Sequence, residues 1–264
     1  MRGNHEIDYR IFGEEMQYVE IELDPTETAI AEPGAFMMMH DGIQLETIFG
    51  DGSQQQGGLL GKLFSAGKRM LVGESLFMTA FTNVSSTKKS VSFASPYPGK
   101  IVTIDLMRIG GKVICQKDAF LCAAKGVKIG IEFQRKLGTG LFGGEGFIME
   151  NLEGDGMAFL HASGFVQEID LQQGELLKID TGCIVGFTAT VDYDIQFVGG
   201  IKNTLFGGEG LFFATLKGPG RIWVQSLPIS RLAGRILAYG TYKRKEEGSI
   251  LGGIGNILDG DGWK

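Results

Sequence analysis

The chain of 264 residues is 43% hydrophobic, which is enough to bury a sizeable core in one large domain or in several small ones. Its formal net charge of −6 argues against a general nucleic-acid-binding protein, which needs a basic surface. Glycine is abundant, at 42 residues, and proline is scarce, at 6, which excludes a disordered proline-rich linker. This composition favours many short strands joined by tight turns, so we predict an all-β fold with few helices.

The N-terminal residues 1–15 are too polar for a secretory signal peptide, and no run of about 18 apolar residues is present to span a bilayer. The cysteines Cys115, Cys122 and Cys183 form no C-x-x-C pair. This spacing favours reduced thiols in a cytosolic protein over a disulfide or zinc framework. These features predict a cytoplasmic protein.

The first part of the chain contains an unusual segment at 57–71. Residues 50–58, rich in glycine and polar side chains, are expected to form a flexible loop. The apolar residues that follow are interspersed with cations and contain no acid, so they suit an anionic membrane surface or a neighbouring subunit; packing within the fold is the competing interpretation. The candidate contact residues are Leu59, Leu60, Leu63, Phe64, Lys68 and Arg69.

An internal repeat is the clearest pattern along the chain. The six residues LFGGEG occur at 141–146 and again at 205–210, and a weaker third copy begins at Gly73. Because one unit alone would expose its strand edges, we expect three units to stack into one core with approximate threefold symmetry. The predicted divisions are β repeat 1 at 1–103 with a long loop at 48–72, β repeat 2 at 104–168, β repeat 3 at 169–240, and a glycine-rich tail at 241–264.

One carboxylate occupies the same place in each copy of the repeat, as Glu74, Glu145 and Glu209. A carboxylate beside glycines in a tight turn accepts hydrogen bonds from exposed backbone N–H groups, which is a structural role. The alternative is that the repeat brings the three carboxylates together as a ligand-binding ring.

Known catalytic and cofactor patterns do not fit this sequence. Residues 138–143 match the phosphate-binding pattern G-x-G-x-x-G, but the residues after them predict a strand and not the required helix. The histidines His5, His40 and His161 lie far apart in sequence, so no metal and no cofactor is predicted. Cys183 sits among apolar residues, where a thiol is inert. We propose no catalytic residue and expect a protein that is not an enzyme.

Several motifs support a family resemblance: residues 31–39, the loop 57–61 with 68–77, the two GGEG turns and the tail 251–258. Together they resemble a family of uncharacterised bacterial proteins related to the fungal altered-inheritance-of-mitochondria proteins. The resemblance implies a triplicated short double-stranded β-helix unit, similar to the subunit of the tryptophan RNA-binding attenuation protein, which assembles into rings. It implies no catalytic residue, and the fungal members suggest a role in organising the mitochondrial inner membrane.

The leading hypothesis is a non-enzymatic interaction or scaffold protein that is cytoplasmic, forms homo-oligomers and has a potential peripheral contact with a membrane. The apolar glycine-rich segments 57–71 and 251–258 motivate self-association, because a monomer would struggle to cover them. The alternative is a small-ligand or RNA-binding module analogous to the attenuation protein. The acidic charge makes nucleic acid an unfavourable partner, and the sequence names no small ligand.

Overall fold

The computed structural model describes residues 7–49, 77–135, 147–198, 211–237 and 239. Strands dominate this part of the chain, which holds nineteen β-strands, three short 3-10 turns and one helix over 229–237. The all-β prediction is therefore confirmed. The strands follow one another in three consecutive groups.

The first group covers residues 8–94. In its strand YVEIEL, apolar and polar residues alternate, so Val19, Ile21 and Leu23 are buried and the residues between them are partly exposed. The strands of this group are β1 (Asp8–Phe12), β2 (Tyr18–Leu23), β3 (Thr28–Ala31), β4 (Phe36–Met39), β5 (Ile43–Phe49), β6 (Phe77–Asn83) and β7 (Lys89–Ala94).

The second group covers residues 99–163. Its third strand, FLCAA, is buried at every position, which is typical of a central strand that is covered on both faces. Short 3-10 turns occur at Met107–Ile109 and Lys117–Ala119. The strands are β8 (Gly99–Asp105), β9 (Lys112–Gln116), β10 (Phe120–Ala124), β11 (Lys128–Arg135), β12 (Phe147–Glu153) and β13 (Met157–Ser163).

The third group covers residues 166–225, and the helix over 229–237 follows it. A 3-10 turn at Thr181–Cys183 is capped by the Asp180 carboxylate, which accepts a hydrogen bond from the Gly182 N–H at 2.9 Å. The strands are β14 (Val166–Leu171), β15 (Leu176–Asp180), β16 (Ile184–Thr188), β17 (Asp192–Val198), β18 (Leu211–Lys217) and β19 (Gly220–Gln225).

All strand pairs in the described residues are antiparallel, and they follow one order within each group. In the first group β2 pairs with β7, β3 with β6, β4 with β7 and β5 with β6. In the second group the corresponding pairs are β8–β13, β9–β12, β10–β13 and β11–β12. In the third group they are β14–β19, β15–β18, β16–β19 and β17–β18. The additional strand β1 extends the first group by pairing with β2.

Two six-stranded sheets join neighbouring groups. Strand β3 of the first group pairs with β10 of the second, giving the sheet β5-β6-β3-β10-β13-β8. Strand β9 of the second group pairs with β16 of the third, giving the sheet β11-β12-β9-β16-β19-β14. The remaining strands form the four-stranded sheet β1-β2-β7-β4 and the three-stranded sheet β15-β18-β17.

One hydrophobic cluster draws on all three groups, because it contains Ile30 from the first, Phe120 from the second and Trp223 from the third. A second cluster around Phe93 packs the first group against part of the second, and a third around Phe187 packs the third group against part of the second. The two joined sheets and their shared cluster make the three groups one continuous body. The smaller sheets, with β4 and β15 at their edges, lie in the first and the third group.

Candidate functional site

Strand β4 is an open, apolar sheet edge. It pairs with β7 on one side and with none of the described strands on the other. Its residues Phe36, Met37, Met38 and Met39 are 44%, 48%, 44% and 39% exposed. Gly34, with φ of +93°, supplies the left-handed turn that brings the chain into this strand. A row of unpaired backbone groups flanked by apolar side chains is a template for pairing with another strand.

Strand β15 is a second open edge. It pairs with β18 on one side and with no other strand among the described residues. Leu176 at its start is 62% exposed, and Lys178 is exposed as well, whereas the side chains of Leu177, Ile179 and Asp180 are half-buried. This edge is therefore narrower and more mixed in polarity than the β4 edge.

Two strand pairs inside the chain join neighbouring groups, β3 with β10 and β9 with β16. The strands of these pairs are equivalent in position to β4 and β15, but they are covered. When the additional strand β1 is left out of the count, the third strand of each group is β4, β10 or β16, and every residue of β10 and β16 is buried. The second strand is β3, β9 or β15, and every residue of β3 is buried. Strand β4 corresponds to β10 and β16, and β15 corresponds to β3 and β9. Each of these four strands pairs with a strand of another group, whereas β4 and β15 have no such neighbour among the described strands.

A separate candidate lies in the interior, where three segments meet around a histidine. His161 on β13 is 2% exposed, with its Nδ1 3.2 Å from the Ser95 hydroxyl and its Nε2 3.4 Å from a carboxylate oxygen of Glu32. The Tyr97 ring packs on the imidazole with 4.9 Å between the ring centroids. Ser95 follows β7 and Glu32 follows β3, so the ends of these two strands position both side chains.

The hydrogen bonds of Ser95 fix the direction of the proton between Ser95 and His161. The Ser95 hydroxyl donates to the Tyr97 carbonyl at 2.9 Å, which uses its single proton. The His161 Nδ1 is therefore the donor to the Ser95 oxygen. A nucleophilic serine must instead give its proton to the imidazole. This arrangement supports a structural role for Ser95 and His161.

Glu150 is the most deeply buried carboxyl group of the described residues, at 2% exposure. It lies on β12 directly opposite Cys115 of β9. Burial raises its pKa to about 8, and the negative charge of Glu32 contributes to the shift. Burial also raises the pKa of Glu32, although His161 partly offsets that effect. Glu150 is therefore mainly a neutral acid at pH 7 and a potential proton donor.

Glu32 and Glu150 line a cavity of about 240 Å³. Lys117 and Asp118 of a 3-10 turn lie at its polar side, and apolar side chains that include Phe120 form much of the rest. Its volume falls below the range of about 300–1,000 Å³ that is typical of drug-sized ligand sites. The cavity therefore suits only a small molecule.

The cysteines carry protonated thiols. Burial strongly raises the pKa of Cys115 and of Cys122, and burial also raises the pKa of Cys183. All three are free thiols. Because the thiolate is the reactive form, these cysteines are poor nucleophiles and poor metal ligands. No cluster of His, Cys, Asp and Glu in the described residues has three members placed to hold a metal ion.

The predicted site residues fall in parts of the chain outside the described residues. This applies to the turn carboxylates Glu74, Glu145 and Glu209 and to the contact surface Leu59, Leu60, Leu63, Phe64, Lys68 and Arg69. Their roles stay predictions. Sequence reasoning missed Glu32 and Glu150. The available signal for Glu150 was an acid inside the apolar strand FIMENLE, which is unusual in a buried position unless the acid has a partner.

In the described part of the chain, the helix is too short to cross a membrane, and no other helical segment qualifies.

Similarity to known proteins extends over all three groups of strands. A family model described as mitochondrial biogenesis AIM24 matches residues 9–227. An uncharacterized protein of Streptococcus pyogenes serotype M6 is 32% identical over 226 residues, which are 84% of this chain and 86% of that protein. The crystal structure of a protein from Streptococcus pyogenes, 25% identical, gives a TM-score of 0.68 and covers 88% of this chain and 99% of its own.

Proposed function

The chain belongs to the family described as mitochondrial biogenesis AIM24, and we propose that it is a non-enzymatic scaffold that assembles with copies of itself. The observation that carries this proposal is the open edge β4, whose four residues are all apolar and all exposed. Natural proteins protect such edges with charges, prolines, bulges or a covering element, because an open apolar edge otherwise pairs with other chains. Strand β4 carries a bulge but neither a charge nor a proline. A partner strand supplied by another copy covers it.

The architecture of this scaffold is proposed to be three repeated units similar to the attenuation-protein subunit. The support for this is the order of strand pairing, which is the same in the groups 18–94, 99–163 and 166–225. A further support is the offset of 64 residues between paired positions: Leu152 faces Val113, and Leu216 faces Leu177. The three groups differ in sequence, so their edge strands differ in polarity and exposure.

The test is the mass of the protein in solution. We expect size-exclusion chromatography with light scattering to give a multiple of 28.6 kDa at micromolar concentration, falling towards one chain on dilution. A mass of 28.6 kDa at every concentration would exclude self-association.

The proposed location is the cytoplasm, with contact at a membrane surface through residues 57–71. The support comes from sequence: Lys68 and Arg69 accompany apolar residues in a segment without acids. Flotation with anionic and with neutral vesicles tests this contact. Binding to anionic vesicles that high salt reverses would support it, and absence of the protein from both floating fractions would remove it.

Small-ligand binding is the second candidate function, and the cavity beside Glu150 favours it. The support is the position of the Glu150 carboxyl group, which is buried in the fold and lines this cavity. Native mass spectrometry of gently purified protein would reveal a bound small molecule as added mass. Loss of that mass in Glu150→Gln, with retention in the exposed control Glu132→Gln, would place the molecule in this cavity.

RNA binding is less well supported than the scaffold role or small-ligand binding. A cleft of about 540 Å³ between the three groups is lined by five acids, and its two arginines are paired with acids. Arg108 contacts Asp105 at 3.0 Å, and Arg221 contacts Asp170 at 2.7 Å. A phosphate backbone requires unpaired cations along its path, so this cleft repels it.

A further inference from the structure

The first join between groups defines a register of strand pairing. Strand β3 of the first group runs antiparallel to β10 of the second, with Ala29 opposite Ala124 and Ala31 opposite Cys122. The β10 strand carries a β-bulge on its other side, since Phe120 faces Leu160 and Cys122 faces Phe159.

The second join repeats this register at equivalent positions. Strand β9 pairs with β16 so that Val113 faces Thr188 and Cys115 faces Gly186. The β16 strand has the same bulge, because its register with β19 shifts between Ile184 and Gly186. Each join therefore places the second strand of one group against the bulged third strand of the next.

The third bulged strand is β4, and its bulge lies in the equivalent place. Phe36 faces Phe93 on β7 and Met38 faces Ser92, so Met37 is the extra residue. Among the described strands, no group lies before β4, and none lies after the group of β15, which is that group's second strand. One half of a third join is thus present in the first described group and the other half in the last.

From this geometry we infer that β15 of one copy pairs antiparallel with β4 of a second copy, with Ile179 opposite Met38 and Leu177 opposite His40. These pairs follow from Ala31 opposite Cys122 and Ala29 opposite Ala124 in the first join. The inference rests on the proposed self-association and specifies its surface. It completes a six-stranded sheet, β17-β18-β15 from one copy and β4-β7-β2 from the next, extended by β1.

The side chains of the two edges suit each other. The half-buried Ile179 of β15 meets the exposed Met38, so apolar surface meets apolar surface. The bulge of β4 increases the local twist of the strand, as it does in the two internal joins. Pairing also gives partners to the free N–H and C=O groups of both strands.

The pairing is head-to-tail, because each copy presents one β4 edge and one β15 edge. Such a heterologous contact leads to a ring if the rotation between copies closes, and to an open chain of copies if it does not. A contact of β4 against β4 about a two-fold axis would instead leave both β15 edges uncovered.

Disulfide cross-linking in solution tests the register. Residues directly opposite in an antiparallel pair have Cα atoms about 4.5–5.5 Å apart, which lies within disulfide range. The test variant combines Met38→Cys with Ile179→Cys in a Cys183→Ser background, since Cys115 and Cys122 are buried. The matched control combines Met38→Cys with Lys178→Cys, which is one residue out of register and faces the other side.

We expect mild oxidation to give a ladder of covalent multimers for the test variant, at least fivefold more than for the control, and none for either single variant. Reduction returns the ladder to one band. A disulfide formed within one chain, visible as a mobility shift without multimers, would show that the edges close on each other and would overturn the inference. Light scattering of the same samples separates the remaining outcomes. Multimers without cross-links overturn this interface and leave self-association standing, whereas a monomer overturns both.

Discussion

Strands β4 and β10 occupy corresponding places in the first and second groups, yet their surroundings are opposite. Every residue of β10 is buried between β3 and β13, and every residue of β4 is exposed beside β7. Both strands are apolar and both carry a bulge at the same place. The difference between them is the presence of a neighbouring strand, so burial here depends on what joins the sheet and not on how apolar the strand is.

The largest expected effect contrasts two corresponding phenylalanines. Phe120 on β10 is 1% exposed and Phe36 on β4 is 44% exposed. We expect Phe120→Ala to lower the free energy of unfolding by about 3–5 kcal/mol, because it leaves a cavity in the core. Phe36→Ala should cost far less. Urea denaturation at a single protein concentration measures both changes, and equal losses for the two variants would contradict the contrast.

Glu150 extends the comparison to a polar group inside the sheet. Its pKa is about 8 in the folded protein against an ordinary value of 4.5, so the folded state holds a proton that the unfolded state releases between these pH values. Stability should therefore fall as pH rises from about 4.5 to 8. Glu150→Gln should remove most of this fall and stabilise the protein at pH 8 by about 1–3 kcal/mol.

The exposed Glu132 is the control for this experiment, because its pKa is lowered, chiefly by a hydrogen bond from Lys112. The contribution of Glu132 to stability has the opposite pH dependence. It is present above the pKa of the unfolded state and is lost as the pH falls through the pKa of the folded state. Thermal unfolding from pH 4 to 9 compares the variants. The same pH profile for Glu150→Gln and the unmodified protein would contradict the role given to the buried acid.

A charge on the open edge should separate the copies without unfolding them. Met38→Lys places an ammonium group where the inferred contact is apolar, so we expect the dissociation constant to rise about tenfold or more. Val84→Lys is the matched control, since Val84 is 60% exposed and lies outside both edges. Sedimentation velocity measures the association, and an unchanged oligomer in Met38→Lys would place the contact elsewhere.

The smallest expected effect concerns the other edge. Leu176 is 62% exposed, so in the Met38→Lys background Leu176→Ser should change the free energy of unfolding by less than about 0.5 kcal/mol. Chemical denaturation measures this change. A loss above about 1 kcal/mol would show that β15 is covered within its own chain, and the comparison between open and joined strands would fail for this edge.

Composition and local pattern were sufficient to predict the fold class. Abundant glycine, scarce proline and apolar runs such as FIMENLE and MAFLHAS indicated many short strands, and these residues form β12 and β13. The family was also recognisable from motifs. Both conclusions depend on residues that are close in sequence.

The interior cluster could not be predicted, because its members are far apart in sequence. Ser95 and His161 are separated by 66 residues and meet through the pairing of several strands. The open edges could not be predicted either. The letters FMMM and FLCAA describe two equally apolar strands, and only the order of the sheets shows that the first lacks a neighbour.

The bulge at Met37 limits how the length of β4 can change. Side chains alternate between the two faces of a strand. The extra residue Met37 therefore determines on which face the side chains of the preceding residues lie. Deleting Met37 would turn Phe36 to the opposite face and away from the Phe81 ring, on which it stacks with 5.6 Å between centroids. Replacing one apolar side chain of β4 with another preserves this arrangement. Insertions and deletions should therefore be rarer in this strand during evolution than exchanges among apolar residues.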